Sequence, residues 1–196
     1  MTADEFEESE DFARRLDLDD PLAGFRERFY VPEGVVYVDG NSLGLLSKSS
    51  ESSVLRVLKE WKTLGIRGWL EASLKIILEA GVEAVRQKSL KMTSYMIYLV
   101  DQILSDPPYC FTVGTPRDAT RRGGHVAVEH DEGMRVAEAL RARGVIPDFR
   151  PPKVIRLAPA PLYNTYHEVW KIVHHLKEII DNREYEKIPK ERKDIS

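Results

Sequence analysis

The sequence predicts an α+β fold: a small, mainly antiparallel sheet with helices packed on one face, plus a long connecting helix. Two observations lead to this prediction. Between residues 72 and 104, apolar residues recur every three or four positions, which is the spacing of one helix face. After residue 108, short apolar runs alternate with helical patterns, and helices covering one face of a sheet make a stable layered unit.

Four consecutive parts are predicted along the chain. Residues 1–71 form an N-terminal helical segment that contains the glycine-rich turn GNSLGL. Residues 72–108 form the long bridging helix, and residues 109–182 form the α+β unit. Residues 183–196 form a charged tail that we expect to be mobile.

The N-terminal segment is expected to hold three helices and one strand. An acidic helix with a thin apolar stripe covers about residues 3–16, and prolines bracket a short helix within 21–32. Residues 35–38 read as a short strand that runs into the glycine-rich turn. A third helix covers about residues 49–63.

The bridging helix is expected to bend or break at Gly81, because glycine in a helix interior costs about 1 kcal/mol relative to alanine. Two prolines, Pro107 and Pro108, end it. Its first turns carry apolar side chains, and an exposed apolar surface is expected there unless another chain covers it. That surface would comprise Trp61, Trp69, Leu70, Leu74 and Ile77.

In the α+β unit, three strands are predicted over residues 109–113, 124–130 and 154–158, with a brief extended run at 148–150. Two helices are predicted over residues 131–143 and 166–180. Cys110, the single cysteine, falls in the first of these strands and is expected to be a small buried hydrophobic residue.

The composition excludes several classes of protein. The net charge of −3 gives no basis for binding nucleic acid. No apolar run reaches the roughly 18 residues that a transmembrane helix needs. The first residues, MTADEFEESEDF, are acidic, unlike a secretory signal, and one cysteine suits a reducing compartment. These features predict a cytoplasmic protein with no membrane partner.

Arg156 is the most informative residue, because it lies in the middle of a short apolar strand closed by prolines on both sides. Side chains alternate along a strand, so Ile155 and Leu157 share a core face while Arg156 points to the other. That second face must offer the guanidinium water or an anion. A structural salt bridge, an edge-strand arginine and a bound ligand carboxylate are all consistent with the pattern.

No metal site is predicted. His125 and His130 would point to opposite faces of one strand, and His174 and His175 diverge by about 100° around a helix. His174 and His175 are therefore interpreted as polar surface residues.

Three arginines in the turn TPRDATRRGG could bind phosphate or carboxylate. They are Arg117, Arg121 and Arg122. A solvated turn with local ion pairs to Asp118 is the favoured alternative.

Three blocks of sequence resemble one known family. RPPKVIRLAPAPLYNTY at 150–166 and VGTPRDATRRGGHVAVEH at 113–130 are similar to the C-terminal domain of kynureninases. FRERFYVPEGVVYVDGNSLGL at 25–45 resembles the N-terminal signature of the same family. The resemblance implies the small domain of a fold-type-I pyridoxal-phosphate enzyme.

The resemblance also implies a substrate site and an activity. Arg156 would hold the α-carboxylate of a kynurenine-like amino acid, and Ser42, with Asn41, would line the substrate pocket. Complete kynureninases are pyridoxal-phosphate-dependent hydrolases of the kynurenine pathway, which serves tryptophan catabolism and NAD biosynthesis. They cleave kynurenine with water into anthranilate and alanine.

The middle of the chain departs from the family pattern. After Trp69, Leu70 and Glu71 the chain passes directly to ASLKII, which resembles the helix that follows the family's central domain. The pyridoxal-phosphate domain, with its Schiff-base lysine, would thus be absent, so no catalytic or cofactor-binding residue is predicted. The lysines present are expected to lie on polar helix faces: Lys48, Lys59, Lys62, Lys75, Lys88 and Lys91.

Three functions follow from this departure. The chain could be a truncated kynureninase, namely its small domain, able to orient substrate yet inactive alone. It could be a non-catalytic binding or structural module, as a homodimer or as one subunit of a split enzyme. It could also be a deletion product that folds without a role.

Overall fold

The computed structural model describes residues 6–40, 44–52, 54–55 and 71–190, and the side chains of residues 71–75 are outside this description. The α helices named below are α1 Glu10–Leu18, α2 Glu71–Ala80, α3 Val82–Ile103, α4 Gly133–Ala142 and α5 Tyr166–Asp181. Short 3₁₀ helices cover Ala23–Arg28, Ala119–Arg121 and Glu184–Lys187. Residues 48–52 are helical too, and the rest of the helix expected over 49–63 falls mostly outside the described residues.

The main sheet has four antiparallel strands in the order β2-β3-β6-β5. Their bounds are β2 Thr112–Val113, β3 Val126–Glu129, β5 Asp148–Arg150 and β6 Val154–Leu157. A separate parallel pair joins β1, Val36–Tyr37, to β4, Val145–Ile146. The predicted α+β architecture with a small antiparallel sheet is therefore confirmed.

The bridging helix is interrupted where the sequence predicts it. Helix α2 ends at Ala80 and α3 begins at Val82, and Gly81 between them has a φ of +83°. Residues with a side chain rarely adopt this left-handed backbone conformation, whereas glycine adopts it readily. The break thus lies at the residue with the lowest helix propensity in the apolar repeat.

The core lies between one face of the sheet and the helices α3, α4 and α5. Along β6, Ile155 and Leu157 are fully buried, while Val154 and Arg156 are only partly buried. Helix α5 contributes buried residues at helical spacing, and α3 contributes a row that includes Met92, Met96 and Leu99. The apolar periodicity of the sequence therefore marks the buried faces correctly.

Buried charges fasten the N-terminal segment to this unit. Asp17 accepts hydrogen bonds from the backbone N–H groups of Tyr166 (2.6 Å) and His167 (3.1 Å), at the start of α5. The Asp20 carboxylate lies 2.5 Å from the ammonium of Lys88, and both side chains are at least nine-tenths buried. The expectation that Lys88 lies on a solvated helix face is wrong, because the N-terminal segment covers it.

Further contacts extend this attachment toward the main sheet. The Arg26 guanidinium bonds Glu168, whose carboxylate also completes the capping box at the start of α5. Val36 donates its N–H to the Gly144 carbonyl at 2.7 Å, beside the β1–β4 pair. The residues before the glycine-rich turn therefore pack on the C-terminal α+β unit.

Two local expectations in the C-terminal part are wrong. Cys110 is exposed and has a φ of +54°, because the strand expected over 109–113 is formed only at Thr112–Val113. Part of the charged tail is docked: the Arg143 guanidinium bonds Glu184, and Arg135 Nε donates to the Ile188 carbonyl at 2.7 Å.

The expected apolar surface is only partly described. Trp61, Trp69 and Leu70 lie outside the described residues, as does the side chain of Leu74. Ile77 is partly buried, and the neighbouring Leu78 and Val82 are exposed instead, at 69% and 63%. No helix within the described parts of the chain is long and apolar enough to cross a membrane.

Candidate functional site

Arg156 lies on a β-hairpin formed by β5 and β6. In this antiparallel pair Arg156 is directly opposite Asp148, and on its other side β6 pairs Arg156 with Ala127 of β3. Directly opposed side chains project from the same face of a sheet and lie within contact distance. The Arg156 side chain is 24% exposed and that of Asp148 is 18% exposed, so the pair is partly shielded from water.

One carboxylate oxygen is shared by two arginines. Arg156 donates to Asp148 Oδ2 from Nε at 2.7 Å and also from Nη2. Arg150 Nε donates to the same oxygen at 3.0 Å. Two guanidinium charges therefore meet one carboxylate charge, and these three groups together carry a net charge of +1.

A structural salt bridge was one of the three alternatives that the sequence allowed for Arg156, and it is present in this structure. A carboxylate-binding role for Arg156 stays a prediction, because a ligand would have to join or displace Asp148. The signal that sequence reasoning missed is the hairpin register: positions 148 and 156 are equidistant from Pro152 in the connecting turn, which places them in a cross-strand pair.

The glycine-rich turn begins at the end of the Arg156 strand. Asn41 and Ser42 lie outside the described residues, so their predicted roles stay predictions. The Ala158 N–H donates to the Val38 carbonyl at 2.8 Å, and the Gly40 N–H donates back to the Ala158 carbonyl at 3.4 Å. Ala158 is two residues beyond Arg156, so the turn that carries Asn41 and Ser42 starts close to the arginine's strand.

The close approach of the backbone at position 40 to Ala158 requires a glycine there. A Cβ atom at position 40 would lie 3.0 Å from the Ala158 carbonyl oxygen and 3.2 Å from Ala160 Cβ. The backbone can pair with the end of β6 because position 40 carries no side chain. We call the segment from Gly40 to Gly44, which the sequence predicts to be a turn, the glycine-bounded turn.

Tyr163 meets both ends of the glycine-bounded turn, and sequence reasoning did not single it out. Its hydroxyl oxygen lies 3.3 Å and 3.4 Å from the positions that Cβ atoms would take on Gly40 and Gly44. The hydroxyl is buried beside the backbone N–H of Leu45. Burial raises the pKa of Tyr163 to about 12.

The arginines of the 116–122 turn separate into different environments. Arg117 forms an exposed ion pair with Asp101. Arg122 is only 8% exposed, and its guanidinium donates to the hydroxyls of Thr93 and Ser94 and to backbone carbonyls. The expectation of a solvated turn is therefore wrong for Arg122, which ties the turn to α3.

Two histidines of helix α5, His167 and His174, contact other protein side chains. His167 Nε2 lies 2.8 Å from Glu10 Oε1, and the His174 ring stacks on Trp170 with centroids 3.7 Å apart. Over the ranges that the structure covers, no cluster of three or more His, Cys, Asp or Glu side chains is arranged to hold a metal ion.

The described residues do not fit a pyridoxal-phosphate site. An imine-forming lysine needs a desolvated amino group that is open to the cofactor. Lys88 is the one buried lysine within the described ranges, and its ammonium is committed to Asp20. We therefore derive no catalytic step through this cofactor.

Comparison with known proteins agrees with the three-block resemblance in its C-terminal part. A family model described as the kynureninase C-terminal domain matches residues 85–176, which include Arg156 and Tyr163. The N-terminal resemblance at 25–45 lies outside that match.

Curated relatives with the same name are much longer than this chain. The kynureninase of Geobacillus thermodenitrificans is 47% identical over 127 residues, which is 65% of this chain and 29% of the relative. The kynureninase of Bacillus cereus strain ATCC 10987 is 50% identical over 127 residues, with the same shares. That of Shouchella clausii is 52% identical over 123 residues, or 63% of this chain and 28% of the relative. The chain thus spans less than a third of the length of these relatives, and its residues 85–176 match the kynureninase C-terminal domain.

Proposed function

We propose that this chain is the substrate-orienting part of a kynureninase, in which Arg156 binds the α-carboxylate of a kynurenine-like amino acid. The observation that carries the proposal is the position of Arg156: its side chain is 24% exposed on the sheet face, and the residue lies within the part of the chain that matches the kynureninase C-terminal domain. A guanidinium on a partly shielded sheet face suits an anionic ligand group better than one in open solvent, because hydrogen bonds to charged groups are strong where water competes less.

The geometry of the guanidinium supports a carboxylate as that anion. Arginine has five N–H donors in a planar fork. A carboxylate suits such a fork because it accepts two parallel hydrogen bonds. At the end of the same strand, Gly40 donates its N–H to the Ala158 carbonyl, so the segment that carries Asn41 and Ser42 begins beside the strand of Arg156.

The same chain is proposed not to hydrolyse kynurenine on its own. Pyridoxal phosphate supplies the electron sink for this class of reaction in complete kynureninases. Within the described residues the buried lysine, Lys88, is paired with Asp20, so a bound substrate would be oriented without the cofactor that activates it. The chain is accordingly proposed to bind no cofactor by itself, and to act in the cytoplasm.

Ligand binding is the first test. Calorimetric titration of L-kynurenine into the wild-type chain should give saturable binding, and Arg156→Gln should weaken it by tenfold or more, as expected for loss of a charge-assisted hydrogen bond. Arg117→Gln is the matched control, because Arg117 also pairs with an aspartate but lies in the 116–122 turn and not on β6. Equal affinity in the wild-type and Arg156→Gln chains would refute the proposed role.

A spectrum with pyridoxal phosphate is the second test. After incubation with the cofactor, we expect neither an imine absorbance band that borohydride removes nor turnover of kynurenine. Either signal would show that a lysine of this chain has taken the role of the missing one.

The second candidate function is a subunit of a split enzyme, or a module that associates with itself as a homodimer. It is favoured by Leu78 and Val82, which expose large apolar side chains on both sides of the α2–α3 break. Size-exclusion chromatography with light scattering tests self-association. A monomer at all concentrations, with no gain of kynureninase activity when a separately produced cofactor domain is added, would contradict this candidate.

A further inference from the structure

The outer face of the main sheet, which turns away from α3, α4 and α5, has a small residue beside Arg156. Ala127 of β3 is paired with Arg156 on the side opposite to Asp148. Its strand neighbours Val126 and Val128 are fully buried in the core, whereas Ala127 is only partly buried. Because directly opposed side chains lie within contact distance, the guanidinium has a carboxylate on its β5 side and a methyl group on its β3 side.

The low outer surface continues from Ala127 to Gly114. The Gly114 N–H donates to the Ala127 carbonyl at 3.0 Å, and a Cβ atom at position 114 would lie 3.8 Å from Ala127 Cβ, so both positions belong to the outer face. The Glu129 carboxylate lies over Gly114, where such a Cβ would clash with it, and it pairs with Lys153 at 3.0 Å. Among the described residues, Ala127 is therefore the floor of a shallow recess between Arg156 and Glu129, which we call the Ala127 recess.

Asp148 blocks the other side of Arg156 and is costly to displace. Its side chain is 18% exposed, and its Oδ2 accepts hydrogen bonds from both Arg156 and Arg150. A ligand carboxylate on that side would meet a group of like charge, and a displaced Asp148 would lose a charge-assisted hydrogen bond while still partly buried. Asp148 therefore favours approach of a ligand from the β3 side and holds the guanidinium in one direction.

We propose that a ligand carboxylate bonds Arg156 from the β3 side, over the Ala127 recess, while Asp148 keeps its bonds. Ala127 then determines whether a ligand fits, and Asp148 is a positioning residue that orders the guanidinium before the ligand arrives. An arginine that is already ordered loses less side-chain freedom on binding. This inference rests on the proposed function and gives its ligand a place on the sheet.

Ala127→Val fills the recess with two further methyl groups. We expect L-kynurenine to bind roughly tenfold more weakly in calorimetric titration, because the overpacked site has to shift to admit the ligand. The melting temperature should stay equal or rise, since valine favours a partly exposed strand more than alanine does. Thr112→Ile is the matched control: it adds bulk to the outer face on β2, two strands away from Arg156, and should leave the affinity unchanged.

Asp148→Asn tests the same placement independently, through the sign of its effect. Without the carboxylate that orders Arg156, we expect L-kynurenine to bind roughly three- to tenfold more weakly at a temperature where the variant is folded. If a ligand displaced Asp148 instead, removal of this competing carboxylate would tighten binding. Asp148→Glu keeps the charge and should restore part of the affinity, which distinguishes ordering of the guanidinium from a general loss of structure.

Wild-type affinity in the Ala127→Val chain, or equal or tighter binding by Asp148→Asn, would overturn this inference alone. Should the Ala127→Val chain fail to fold, the two Asp148 variants decide. Failure of the wild-type chain to bind L-kynurenine, or equal binding by Arg156→Gln, would overturn both this inference and the proposed function.

Discussion

Arg156 and Asp148 face each other across the β5–β6 hairpin, and Arg156 Nε donates to Asp148 Oδ2 at 2.7 Å. The pair is partly buried, so each charge depends on the other for compensation. The same arginine is the one that resemblance assigns to substrate binding. The salt bridge is thus present at the guanidinium for which we propose a ligand role, and the first prediction measures how much the salt bridge contributes to stability.

Asp148→Asn should lower the free energy of unfolding by roughly 1–3 kcal/mol, because a hydrogen bond to a charged group is lost. The measurement is urea unfolding, repeated for Arg156→Gln and the double variant. The double variant should cost less than the sum of the single ones, since the pair acts as a unit. Arg150→Gln is the control: its side chain is 58% exposed, and its loss should cost at most about 1 kcal/mol. Strictly additive single costs would show that the two groups are not coupled.

Gly40→Ala should destabilise the chain more than Gly44→Ala. The added methyl at position 40 would lie 3.0 Å from the Ala158 carbonyl oxygen, so backbone must move, at a cost of roughly 1–3 kcal/mol. At position 44 the nearest atom is the Tyr163 hydroxyl oxygen at 3.4 Å, an ordinary contact. Thermal unfolding of both variants checks the order. A Gly44→Ala variant as unstable as Gly40→Ala would contradict the described packing of the turn.

Lys88→Met should loosen the N-terminal segment. It removes one partner of a buried ion pair and leaves the Asp20 carboxylate uncompensated, which costs about 3–5 kcal/mol. Urea unfolding gives the magnitude, and amide exchange in residues 10–22 reports the loosening. Lys177→Met is the matched control, since Lys177 and Asp181 form an exposed pair at 2.6 Å whose loss should cost at most about 1 kcal/mol. Similar costs for both lysines would mean that the Asp20–Lys88 pair is not buried in solution.

The Arg143 cluster should make stability fall with acidification. Hydrogen bonds from Arg143 lower the pKa of Glu184 and of Glu178 below the usual 4.5, and burial lowers the pKa of His175 below 6.5. Because these pKa values are depressed in the fold, the folded chain binds fewer protons than the unfolded chain at acid pH. Stability should therefore decline below about pH 6.5 through His175, and further below about pH 4.5 through the glutamates.

Urea unfolding at several pH values measures this decline, and Arg143→Gln should make it shallower between pH 5 and pH 3, roughly the range in which the glutamates titrate. Burial also lowers the pKa of His130, whose contribution should persist in both chains. An unchanged slope in the Arg143→Gln variant would show that the glutamates are not held by this guanidinium. It would also remove the electrostatic reason for docking residues 184–188.

Local sequence signals predict the elements of this fold well. The break at Gly81, the buried alternation of Ile155 and Leu157 and the apolar face of α5 all follow from periodicity and propensity. The solvent exposure of side chains was predicted less well where a segment distant in sequence packs over them. Lys88 is covered by the N-terminal segment and Arg122 by the packing of its turn on α3, and neither partner is close in sequence.

The sequence by itself determined the elements, the α+β class and the kinship of residues 85–176, because spacing of apolar residues and local motifs are properties of neighbouring positions. Only the tertiary structure decided which groups meet. It set Asp148 against Arg156 through hairpin register, and it brought the Tyr163 hydroxyl to both ends of the glycine-bounded turn. Contacts between residues more than 100 positions apart depend on how whole elements pack, and no local pattern of residues encodes them.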